Sequence, residues 1–153
     1  MNLDVSELYV SSLKCTKEVK IKELLFKIFH NIYPTNIMLQ KIGIKNSNKC
    51  DFCQEVDFLE HFLINCVRLT PYWQQVLSYI EKETKVIVPD FMEHKLFGIT
   101  DENSNGKNIN KNIEKANLFL MIAKLSIIKA KFCKLDNIFS VFQSEINFRG
   151  TNH

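Results

Sequence analysis

The chain has 153 residues, 46% hydrophobic and 24% charged, a globular balance that excludes a disordered polar chain. Four Gly and three Pro are too few for a sandwich or barrel of many short strands, so an all-α fold is predicted, one small helical domain over 1–153. Lys+Arg is 20 against 17 acids, and the charge is segregated: +4 over 1–49, −6 over 50–102, +6 over 103–135 and −1 over 136–153.

No apolar run approaches the ~20 residues that cross a bilayer, and the start MNLDVSELYV has neither the basic flank nor the apolar stretch of a secretory signal. An intracellular protein is expected, without a membrane partner and with nothing to separate nucleus from cytoplasm. Residues 1–18 form a polar lead-in. From Val19 to Tyr33 the positions Ile21, Leu24, Leu25, Ile28, Phe29 and Ile32 share one helical face, and Pro34 stops the helix. Thr35 or Asn36 caps a short helix, Ile37 to Ile42, that ends at Gly43. Residues 50–66 carry a knuckle, with a short helix over Phe58–Asn65 and Asp57 as its cap. Over 67–100, Thr70 and Pro71 open a helix whose face is Trp73, Val76, Leu77 and Ile80, and Pro89 and Asp90 start a brief segment. The polar stretch 101–112 reads as a loop. In 113–149 a long helix, Ile113 to Lys134, is apolar most of the way round and therefore central, and Ile138 to Phe148 forms a last helix.

Five cysteines without a secretory signal argue against a disulfide framework. The informative pattern is Cys50-x2-Cys53-x7-His61-x4-Cys66. Two thiolates two residues apart converge on one ion, and His61 with Cys66 closes the site. Five helical steps turn about 500°, so the helix must end before Cys66 for both side chains to reach the metal. A closed Cys3His set selects Zn2+ and leaves no position for water, which makes it structural rather than catalytic. A redox Cys-x-x-Cys normally opens a helix after a strand, and no strand precedes this one. Three thiolates on a divalent ion leave a charge of −1, which Lys49 and Arg68 beside the ligands offset. Cys133 is expected to act as a small hydrophobe and Trp73 to pack in the core.

Enzyme chemistry finds little footing. Asp90, Glu93 and Lys95 lack the strands and spacing of a restriction-type nuclease core. Nothing supports a nucleophile built from Cys15 with His30 or His94, and no small-molecule substrate is indicated. Lys20 and Lys27 share a face of the first helix, Lys124 and Lys131 a face of the long one. With Lys49 and Arg68 they are the candidate nucleic-acid contacts, made to phosphate rather than to bases.

At Ile28-Phe29-His30-Asn31-Ile32-Tyr33-Pro34-Thr35-Asn36, then Leu39, Lys41, Gly43, Ile44 and Ser47, the chain resembles a known family. Cys50, Cys53, His61-Phe62-Leu63, Cys66, Trp73, Leu96-Phe97-Gly98-Ile99 and the 117–131 helix continue the series. The whole is similar to the C-terminal zinc-binding region of reverse transcriptases of non-LTR retrotransposons, the long interspersed elements. One departure is Asp57-Phe58, where the family has an acid followed by Thr. The paired aspartates of a polymerase palm are absent from this sequence. The resemblance implies a detached, non-catalytic module that holds RNA or DNA and works beside a reverse transcriptase. A zinc-stabilised protein-interaction domain without nucleic-acid binding is the competing expectation.

Overall fold

The computed structural model describes residues 17–100 and 111–150. The lead-in before Lys17, most of the 101–112 loop, Cys15 and His153 lie outside the described residues. Six α-helices run through the described chain: α1 Val19–Phe29, α2 Asn36–Lys41, α3 Thr70–Thr84, α4 Met92–Phe97, α5 Lys111–Phe132 and α6 Ile138–Arg149. No strand occurs among the described residues, and the only ladder contact there is an antiparallel bridge between Lys49 and Val56. The fold is the all-α one that glycine and proline scarcity predicts.

Helix α1 buries Ile21, Leu24, Leu25 and Ile28, the stripe expected from their spacing. It ends at Phe29, earlier than Pro34 requires, because Asn31 turns left-handed at φ 52°. Gly43 closes α2 at φ +81°, where a side chain would be strained. Pro71 occupies the first turn of α3, where a missing N–H costs nothing. This helix buries Tyr72, Trp73, Val76 and Ile80.

Helix α5 is the centre of the molecule. It packs on α1, α3, α4, α6 and the segment of the knuckle, and buries Ala116 through Lys124 without interruption. One contiguous core joins it to Leu63, Leu69, Trp73, Leu96, Ile138 and Phe142. Two sequence expectations fail at its C-terminal end. Phe132 is 87% exposed rather than part of the apolar stripe, and Cys133 is exposed rather than packed. The helix stops at Phe132, and the turn through Lys134 at φ 54° carries both side chains outside the α5–α6 contact. No helix among the described residues is long and apolar enough to cross a membrane.

Candidate metal centre

The knuckle is a tight hairpin. Cys50 N–H donates to the Glu55 carbonyl at 2.6 Å, Asp57 N–H to Asn48 at 2.8 Å, and Gln54 turns left-handed at φ 68°. Phe52 N–H reaches the Cys50 sulfur at 3.4 Å. This local folding points Cys50 and Cys53 to one side.

His61 and Cys66 come from the short helical segment that follows. There the chain widens into a single π turn, His61–Asn65, closed by Cys66 N–H donating to the His61 carbonyl at 3.1 Å. Cys66 has left helical geometry (φ −57°, ψ 131°), as its spacing from His61 demanded. The extra residue in the turn brings position i+5 back over position i, so both side chains face the knuckle. The widened turn leaves carbonyls without helical partners. The Phe62 carbonyl is taken by Lys131 Nζ at 2.8 Å and the Leu63 carbonyl by Trp73 Nε1 at 2.8 Å. Trp73 is a core residue, as expected, but it also braces the site.

Cys50, Cys53, His61 and Cys66 bring one ligand atom each within 4.8 Å of one another, a group that can hold a metal ion. Cys53 Sγ lies 3.1 Å from His61 Nε2 and 3.8 Å from Cys66 Sγ. A tetrahedral ion about 2.3 Å from each sulfur sets sulfur–sulfur edges near roughly 3.8 Å, so the donors fit. Burial pushes the Cys66 thiol up to about 11, helped by Cys50 and Cys53 and opposed by a hydrogen bond from the Arg68 backbone. Holding an ion there therefore releases a proton, and affinity rises with pH.

Residues between and before the ligands interlock around this group. Asp57 does not cap the segment that follows it. Its Oδ2 accepts Asn36 N–H at 3.1 Å, capping α2 from 21 residues away. The Asn36 side chain answers by donating to the Lys49 carbonyl at 2.7 Å and to Asp51 Oδ1 at 3.3 Å. Both residues are buried, and the spacing pattern alone pointed to neither as a partner of the site. Their only sequence signal was membership of the family-like series around Tyr33-Pro34-Thr35-Asn36 and of the acid before His61.

The six candidate nucleic-acid residues separate. Lys20 and Lys49 are exposed, and Lys27 is half-buried and pairs with Glu23 at 3.3 Å. Lys124 is fully buried, its ammonium donating to the Leu96 carbonyl, so it presents no charge to a phosphate. Lys131 is partly buried, its ammonium 3.5 Å from the Phe62 ring centroid. Burial lowers its pKa, and the charges of Asp57, Cys50 and Cys66 oppose that shift. The shared face of Lys124 and Lys131 thus points inward, a correction to the sequence expectation: α5 is covered on that side by α4 and the π turn. Arg68 stacks 3.6 Å over the Phe52 ring, and its Nε and Nη2 are buried without a hydrogen-bond partner among the described residues. The charge of Lys131 acts on Cys50 and Cys66, and Arg68 lies over Phe52, whose N–H reaches the Cys50 sulfur. Lys95, largely buried within α4, pairs with exposed Asp90 just before that helix.

Comparison of the chain with family models, with curated proteins and with solved structures returned no match.

Proposed function

We propose that this chain is a zinc-stapled, non-catalytic module that binds nucleic acid through its backbone phosphates, similar in kind to the C-terminal region of non-LTR retrotransposon reverse transcriptases. The convergence of Cys50, Cys53, His61 and Cys66 within 4.8 Å carries it. Three sulfurs and one imidazole nitrogen in a tetrahedral arrangement suit zinc over oxygen-preferring ions. Four protein donors leave no position for a reacting water, which supports a structural role over a catalytic one. Of the six candidate contacts, Lys20, Lys27 and Lys49 are the lysines left available to phosphate, all in the basic segment that precedes the acidic one. A reverse transcriptase is the partner that the family resemblance suggests.

Metal content measured by mass spectrometry on the reduced, purified chain, beside Cys53→Ala, tests the first half. One zinc per chain, lost in the variant together with helical signal, is expected, since such sites supply ~10–16 kcal/mol of apparent folding energy. A metal-free, stably folded chain overturns it. Chelation also reports through Trp73, whose indole is tied to the π turn between two ligands: its emission shifts to the red as the turn unwinds. For the second half, log affinity for a duplex or single strand falls with log salt, and each of Lys20→Ala, Lys27→Ala and Lys49→Ala reduces that slope by about 1. Binding that is flat between about 50 and 200 mM salt excludes phosphate contacts.

The exposed Phe132 and Phe148, at 87% and 83%, favour a second reading as a protein-interaction domain. Co-purification that survives nuclease treatment, with no retained nucleic acid, decides for it.

A further inference from the structure

Far from the metal ligands in sequence, the end of α3, the first half of α5 and the end of α6 line an open cavity of about 570 Å³. Buried Leu118, Phe119 and Ile122, with half-buried Tyr79 and Ile146, give it an apolar lining. The Tyr79 and Phe119 rings meet edge-on, their centroids 5.4 Å apart at 67°, an arrangement that a further ring can extend. A cavity of roughly 150 Å³ already holds benzene, so this one admits an aromatic side chain with space to spare. Glu83, Lys111, Glu114 and Lys115 also line it, and none of them makes an ion pair among the described residues. Lys115 has the Phe119 ring, its centroid 5.7 Å from the ammonium, and no carboxylate. Arg149 lines the cavity too, but is taken by Glu18 and Glu145.

Phe148 sits between the lining residues Asn147 and Arg149, yet its own ring is 83% exposed. The chain thus carries an aromatic knob beside an apolar hole that the knob does not enter. A two-fold axis answers both features, because one patch then serves on both sides and each knob reaches the other copy's hole. The charges point to the same occupant. Two carboxylates and two ammoniums sum to zero, so a partner of one sign, such as a phosphate backbone, is repelled by Glu83 and Glu114. A partner bearing both signs is not, and a second copy bears both. An apolar centre within a charged rim is also the ordinary anatomy of a protein interface.

We propose that this face is a two-fold contact between copies of the chain: each copy sets its Phe148 into the cavity of the other, and Lys111 and Lys115 of one rim meet Glu83 and Glu114 of the other. The inference goes beyond the nucleic-acid reading and does not depend on it.

Analytical ultracentrifugation of the full chain, across a concentration series and with metal present, tests it. A monomer–dimer equilibrium that stops at the dimer is expected. Phe148→Ala should raise the dissociation constant at least about a hundredfold, since each dimer loses two central anchors. Its side chain is exposed, so helical signal and metal content should persist in that variant. Sorting the charges into two chains gives a second, independent readout. One chain carries Lys111→Glu and Lys115→Glu, the other Glu83→Lys and Glu114→Lys. Neither should associate with itself, and an equal mixture of the two should form a heterodimer. A monomer at every concentration overturns the proposal and leaves the cavity to a different occupant. So does growth beyond the dimer as concentration rises, which marks an open, head-to-tail contact. A folded Phe148→Ala that dimerises as tightly as wild type places the contact on another face. Charge-sorted chains that fail to pair, beside a wild type that dimerises, also exclude this rim.

Discussion

Asn36 lies 14 positions before Cys50 in the chain, yet three of its hydrogen bonds end on the knuckle: one received by Asp57, two donated to the Lys49 carbonyl and Asp51. Removing the amide leaves the Lys49 carbonyl, one residue from a ligand, without its donor. Groups that orient metal ligands from outside the coordination sphere are worth about 10–100-fold in affinity. Asn36→Ala is therefore expected to weaken metal binding by that factor while the fold persists, measured by competition with a chromophoric chelator. An affinity equal to wild type removes Asn36 from the site. The four ligands were legible in sequence because their spacing is local and their chemistry narrow. The Asn36–Asp57 exchange was not, since two common polar residues 21 apart carry no periodic signal.

At the scale of the element, α5 shows why a correct pattern led to a wrong surface. Asn117, Lys124 and Lys131 recur every seven residues, about two turns, and form one stripe. Each side chain serves the backbone of an earlier segment: Asn117 bonds both N–H and carbonyl of Ile99 at 2.7 and 2.9 Å, Lys124 the Leu96 carbonyl, and Lys131 the Phe62 carbonyl. Leu96 lies in the last turn of α4, whose carbonyls have no helical partner, so the lysine caps a helix end. Lysine stems are long and apolar and pack in a core when the ammonium finds acceptors. Lys124→Ala is expected to lower stability by about 2–4 kcal/mol, through the void and the orphaned carbonyl, with no change in any salt dependence of nucleic-acid binding. Denaturant melts beside gel retardation at several salt concentrations check both halves. A neutral effect on stability with a weakened salt slope restores Lys124 to the surface.

Across the whole molecule, one charged cluster ties the described beginning to the described end. Arg149 of α6 donates to both oxygens of Glu18, at 2.9 and 2.8 Å, and to Glu145 at 2.7 Å, which Lys129 of α5 reaches at 2.5 Å. Burial pushes the Glu145 carboxyl up, but the hydrogen bonds and charges of Lys129 and Arg149 outweigh it and hold it below the ordinary 4.5. A carboxyl depressed in the folded state stabilises above its unfolded value, and that contribution is lost as pH falls through the folded one. Glu145→Gln is expected to cost roughly 3 kcal/mol at neutral pH, since it strips a buried pair of one partner. The gap between the wild-type and variant melting temperatures should then close as pH falls below about 4. Acid release of the metal affects both chains alike, so the gap isolates Glu145. A gap constant from neutral to acid pH removes the cluster from the acid response.

By itself the sequence determined the helical class, most helix bodies, the central place of α5 and the four metal-ligand candidates, because each of these is written in periodicity, in turn residues or in short-range spacing. The five-residue separation of His61 and Cys66 implied that the helix ends before Cys66, but not the π turn that lets both face one point. Tertiary structure alone decided which way the Lys124–Lys131 stripe faces, that Asp57 serves α2, and that Phe132 and Cys133 stand outside the core. A helical pattern records that residues share a side but not what lies opposite. That depends on which distant carbonyls and rings the packing brings there, and for this chain they came from α4 and the metal knuckle.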